Sequence, residues 1–146
     1  MAPRLIYECF EQVRAYETVM ETASITMLHA LRIDFKRLRY TLEFFEEVLG
    51  REVKIVIKEV KIMQDHLGDL NDAEVAIAAL RAFVDHYHAQ LDGVPIFMRA
   101  DISGVMQYAA AKEAERRRLL DTFPPVWENF LRDDVRRNLA LAISIL

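Results

Sequence analysis

At 146 residues, with a formal net charge of −4 and 53% hydrophobic residues, the chain has the length of one ordinary domain and enough apolar side chains to close a core. A single cysteine, Cys9, leaves no disulfide framework and no cysteine-rich metal centre, and it favours a reducing, cytoplasmic setting. No segment has the roughly 18 uninterrupted apolar residues of a membrane span, "MAPRLIYECFEQVRAYE" is too charged for a secretory signal, and the acidic balance argues against nucleic-acid binding by the whole surface.

Four glycines and four prolines leave few breaks, and β-branched runs with period-2 alternation are scarce, so the chain reads as nearly all helix. A first helix starts near Pro3, with Leu5, Cys9, Val13, Tyr16 and Met20 at helical spacing, and fades around Glu21. A second is capped at Thr22 or Ser24 and runs to Leu49, with Gly50 placed as the residue that takes positive φ after the helix. A third is predicted from about Arg51 to Leu67, stopping at Gly68. The "GDLND" turn, with Asn71 or Asp72 as cap, then starts an antiparallel fourth carrying Val75, Ala79, Leu80, Phe83 and Tyr87.

"LDGVPIFMRADIS" is the longest predicted loop, and Asp101 or Ser103 caps a fifth helix through Leu120. The proline pair of "FPPVW" predicts a break or bend, followed by a last helix from about Asp133. Phe123, Trp127 and Phe130 are expected as a core cluster. The apolar ending "LALAISIL" is expected to pack on a partner or to mark a truncation. The expected fold is all-α, an antiparallel four-helix-bundle core of long helices with additional N- and C-terminal helices, in a single domain over residues 1–146.

"LHALRIDFKRLRY" concentrates cations in this acidic chain. On a wheel of 100° per residue, Leu28, Leu31, Phe35, Leu38, Leu42 and Phe45 fill a core arc. Beside it lie His29, Arg32, Lys36 and Arg39, and beyond them a second apolar edge of Ile33, Tyr40 and Phe44. Arg37 points away. The third helix repeats the pattern: a core arc of Val53, Val56, Ile57, Val60, Met63 and Leu67, then Lys54, Lys58 and Lys61, then Ile55 and Ile62. Like charges at these spacings each destabilise a helix by roughly 0.2–0.5 kcal/mol, and the nearby acids, Glu43 and Asp65, are too few to neutralise the set. An anion would relieve the repulsion. Cations repeating once per turn on two antiparallel helices make an elongated strip, which suits a linear polyanion, and a mixture of arginine and lysine favours phosphate.

Ordinary alternatives apply to each feature. Charge runs are commonly solvated faces or intrahelical pairs. His66 reads as a local hydrogen-bonding residue, and Asp69, Asn71 and Asp72 as capping and turn residues. His86 and His88 lie two apart, which puts their rings on different faces and argues against a metal site. Arg116, Arg117 and Arg118 read as surface residues. No nucleophilic triad, paired-carboxylate motif or glycine-rich phosphate loop is visible, so no enzyme activity is expected.

"LHALRIDFKRLRYTLEFFEEVLG" followed by "IKEVKIMQDHLGDLNDAEVAIAAL" closely resembles the second repeat of the CHAD domain, the conserved-histidine α-helical domain, strongly over residues 28 to 80. The family pattern, Leu-His-x-Leu-Arg-x-x-x-Lys-Arg-Leu-Arg-Tyr and then Leu-Gln-x-x-Leu-Gly-x-Leu-Asn/His-Asp, is followed in order, with "MQDHLGDLND" carrying the second part. The resemblance implies two related four-helix bundles around a basic channel that binds inorganic polyphosphate without catalysis or cofactor, often in association with polyphosphate granules. It carries that role to His29, Arg32, Lys36, Arg39 and Lys61, whereas Lys54 and Lys58 rest on the wheel. One helix precedes the motif where the family has a whole repeat, so the expectation is either a piece of a longer protein or two copies pairing as a homodimer to rebuild the channel. Two other functions remain open: a divalent-metal or phosphoacceptor role for the histidines, and a helical module docking an acidic protein partner.

Overall fold

The computed structural model describes all 146 residues, Met1–Leu146, as helices and turns without a strand. The five α-helices are α1 (Ala2–Arg14), α2 (Ile25–Phe44), α3 (Val53–Ala89), α4 (Ser103–Phe130) and α5 (Asp133–Ile143). They are divided between two compact units, residues 1–68 with 123–146 and residues 69–122, and α3 and α4 each supply a segment to both.

In the first unit α1 has a proline in its first turn, where the missing amide hydrogen is not needed. Its buried stripe is Ile6, Cys9, Phe10 and Val13, and Leu5 stays exposed, against the expectation that Leu5 joins the core. The choice of frame buries the larger ring, because Phe10 packs 6.1 Å from Phe130. After Arg14 the chain tightens into two short 3₁₀ turns, Ala15–Thr18 and Met20–Thr22, so Tyr16 and Met20 are half-buried outside the helix. The Tyr16 hydroxyl donates a 2.7 Å hydrogen bond to Asp34 on α2. Burial and then this carboxylate push the phenol up to about 12.

Ser24 is the cap of α2, its hydroxyl accepting from the Met27 amide, and Leu28, Leu31, Phe35, Leu38 and Leu42 are buried as the wheel requires, whereas Phe45, placed in the same arc, lies past the helix end and is only half-buried. The helix ends at Phe44, short of Leu49. Gly50 does not take positive φ, since Gly93 alone does, at φ 77°. Gly50 is needed for close approach: its amide donates to the Ala142 carbonyl at 2.9 Å, and a Cβ there would stand 3.2 Å from the Ala142 Cα. The contact draws the chain end inward. Leu139, Ala142 and Ile143 are buried within the chain, while Leu141, Ile145 and Leu146 are exposed, so the apolar ending is only in part unsuited to water.

The expected stop at Gly68 does not occur. The helix α3 runs through Gly68, Asn71 and Asp72, so there is no turn at "GDLND" and neither Asn71 nor Asp72 caps a helix. One glycine costs about 1 kcal/mol in a helix interior, and the buried series Met63, Leu67, Leu70, Ala73 and Ile77 continues the helical repeat unbroken across it. The proline pair likewise fails to break α4, which contains Pro124 and Pro125. Their cost, about 3 kcal/mol or more for an interior proline, is set against buried rings on either side, with Phe123 stacked on Trp127 and Trp127 on Phe130. In the second unit the predicted loop is present, with a 3₁₀ turn at Ile96–Met98. The Tyr87 hydroxyl pins it by donating to the Ala100 carbonyl at 2.6 Å. Asp101 closes the loop by accepting from the Ser103 amide, and that bond holds its carboxyl below the usual range.

These roles are testable by substitution. Gly50→Ala is expected to lower stability by about 1–3 kcal/mol through overpacking against Ala142, whereas Gly68→Ala, with nothing within 4 Å of the added carbon, is expected to raise it by about 0.5–1 kcal/mol in urea denaturation. Equal effects would refute the distinction. For Tyr16, whose folded pKa lies above the ordinary 10, the stabilisation is fully present below pH 10 and is lost as pH rises through about 12. Tyrosinate absorbance should show one late-titrating group that Tyr16→Phe removes; titration of all five tyrosines together would contradict this.

Candidate functional site

With its apolar stripe buried, α2 presents His29 and Lys36 exposed and Arg32 and Arg39 half-buried along one edge. Lys36 Nζ lies 5.8 Å from the centre of the Tyr40 ring, a cation–π contact one turn along the helix. Arg39 Nε donates to Glu43 Oε1 at 2.8 Å, and its Nη1 donates to Gln64 Oε1 on α3 at 3.1 Å. The same Glu43 oxygen stands 4.0 Å from Lys61 Nζ. Arg39 beside Gln64 and Glu43 beside Lys61 make α2 and α3 antiparallel here.

That register changes the expected shape of the strip. One turn toward the end of α2 is one turn toward the start of α3, so Lys58 and Lys54, both exposed, lie past Glu43 toward the connection at residues 45–52. The two cation sets therefore meet at one end only. They run end to end, joining at Arg39, Glu43 and Lys61. At about 1.5 Å per residue, the α2 part covers roughly 15 Å and the lysine part roughly 10 Å. Glu43 occupies the junction, and Arg32, Lys54 and Lys58 enter no salt bridge. Both outer apolar edges are exposed as expected, Ile33, Tyr40 and Phe44 on α2 and Ile55 and Ile62 on α3.

The remaining candidates lie elsewhere. Arg37 turns toward α1, donating to Gln12 at 3.4 Å and lying 3.7 Å from Asp34. His66 is half-buried, its ring 5.8 Å from Phe123. In the second unit Arg116 pairs with Glu74, and Arg81 pairs with Glu113 at 3.1 Å. His86 and His88 are exposed, and no group of three His, Cys, Asp or Glu side chains converges as a metal site. No helix is long and apolar enough to cross a membrane. Gln64 and the bridging position of Glu43 were not foreseen. The i, i+4 spacing of Arg39 and Glu43 is visible in the sequence, but the interhelical register that brings Gln64 and Lys61 to them is not.

The CHAD domain matches residues 1–81, more than half of the chain, and the chain belongs to the CHAD-domain family. No curated protein and no solved structure gives a match.

The junction pair should be modest in energy, because Arg39 and Glu43 keep 28% and 31% of their side-chain exposure. A double-mutant cycle with Arg39→Ala and Glu43→Ala is expected to give a coupling of about 0.3–1 kcal/mol. A value above about 2 kcal/mol would mean a buried pair and a different geometry.

Proposed function

We propose that this protein binds inorganic polyphosphate, or a similarly linear polyanion, along the strip of His29, Arg32, Lys36, Arg39, Lys61, Lys58 and Lys54, without catalysing a reaction on it. The observation that carries the reading is the line itself. Cations repeat over two helices in an acidic chain, and Arg32, Lys54 and Lys58 are left without a carboxylate. CHAD domains are associated in general with polyphosphate binding, which supports the same ligand class.

The chemistry needs no preformed pocket. Arginine forks onto phosphate oxygens and lysine follows a moving charge, so a flexible polymer can be held at several points without one fixed geometry. Each neutralised phosphate releases condensed counterions, so affinity falls steeply with salt. A cytoplasmic, granule-associated place suits such a ligand and belongs to the same proposal.

Titration with long-chain polyphosphate at about 50 and 200 mM salt tests it. Binding should weaken strongly at the higher salt. Arg32→Ala with Lys58→Ala should cost about tenfold or more and flatten the salt slope by roughly one per cation removed. Glu43→Gln, which removes the competing carboxylate, should tighten binding. Absence of binding at low salt, or binding indifferent to these substitutions, would overturn the proposal.

A further inference from the structure

Two apolar features on this chain stand apart from the ion pairs of the strip, although the first borders it and shares Lys36 with it. One is a groove of about 470 Å³ between α1 and α2. Leu5, Ile33, Tyr40 and Phe44 supply its apolar surface, Phe44 being 80% exposed. Lys36 and Arg37 line it as well, and no carboxylate does; Asp34 approaches only the Arg37 guanidinium, at 3.7 Å. The other feature is the turn at Ile96–Met98, which carries three successive large apolar side chains in water, Phe97 at 87% exposure. Apolar side chains scattered singly on a surface need no explanation, but three together on one turn do.

The turn is held ready. Gly93 at φ 77° turns the chain into it, the Met98 amide bonds back to the Pro95 carbonyl, and Tyr87 ties its far end at Ala100. Arg99 Nε donates to the Val94 carbonyl, so its side chain folds back onto the loop. Around the apolar tip stand Asp92 before it and Asp101 after it, both exposed, with Arg99 the single cation between them, so the loop is acidic by one charge. A preorganised apolar anchor loses little conformational freedom on docking.

The groove is apolar with a cationic rim, and the turn is apolar with acidic flanks. We infer that the occupant of the groove is a second copy of this chain, whose Ile96–Met98 turn inserts over Tyr40 and Phe44 while Asp92 and Asp101 meet Lys36 and Arg37. Pairing the groove with itself about a twofold axis would instead set Lys36 and Arg37 against their own copies, which like charge opposes. The contact is heterologous, turn into groove, so copies either add head to tail or close into a ring, of which a reciprocal pair is the smallest. One turn in one groove buries far less than a standard interface, so the contact is weak and reversible.

Sedimentation and light scattering from low micromolar to about 1 mM protein test this without any polyanion, so the result is independent of the polyphosphate reading. Average mass should rise with concentration above that of the single chain. Phe97→Asp and Phe44→Asp alter exposed rings on different surfaces, and circular dichroism should show both folded. Each alone should remain monomeric to the highest concentration. Mixed together, they should form a 1:1 dimer and nothing larger, because Phe97→Asp keeps an intact groove and Phe44→Asp an intact turn. A wild-type monomer throughout would overturn the inference, as would a mixture that fails to pair or single variants that still associate. So would loss in Phe97→Asp of binding to phospholipid vesicles by a protein that never self-associates, which would assign the turn to a lipid surface.

Discussion

Phe35 meets the rings of Trp127 and Phe130 edge-on, at centroid distances of 6.3 and 4.9 Å, and the rest of α2 is oriented by that contact. Phe10 reaches the same Phe130, so α1, α2 and the end of α4 share one aromatic cluster. At 100° per residue, a buried Phe35 leaves Arg32 and Arg39 on the side of α3, sets Lys36 farther out beside Tyr40, and sends Asp34 and Arg37 toward α1. A rotation by one residue would expose the phenylalanine and drive Lys36 inward. Deleting a buried phenylalanine costs about 3–5 kcal/mol, and burying an unpaired ammonium would add to that. The cationic edge is thus a consequence of how the core is packed.

How much the sequence discloses depends on the range of the forces involved. The amphipathic repeat of α2 is strong and local, and its core residues from Leu28 to Leu42, its cationic edge and its exposed apolar edge are all legible, while Phe45 falls beyond the helix end. Gly68, Asn71 and Asp72 mislead because residue preference is a local quantity, whereas the buried repeat from Met63 to Ile77 decides the helix. Of the break and the bend that Pro124 and Pro125 allow, the break is absent, because α4 runs on beside Phe123 and Trp127. Gly50 looks like a helix terminator until Ala142 is placed against it, and that placement depends on the whole unit. On α1, Leu5 and Ile6 are alternatives that the periodicity alone cannot separate, and the fit of Phe10 against Phe130 chooses between them.

The candidate site divides along the same line. Which residues share a face is a property of one helix and can be counted. How one helix slides along another is a property of the pair. The bond from Arg39 to Gln64 and the approach of Glu43 to Lys61 set that slide, laying the two stripes out as one line with a carboxylate at its joint.

On the polyanion reading, that carboxylate works as a resident anion. A short guest reaching only Arg39 and Lys61 exchanges one negative group for another and gains little. A longer guest that also reaches Arg32, Lys58 and Lys54 gains where no resident charge stands. Preference for long chains over single phosphates then requires neither a closed end nor a measuring cavity. It follows from where a single glutamate sits along an open track.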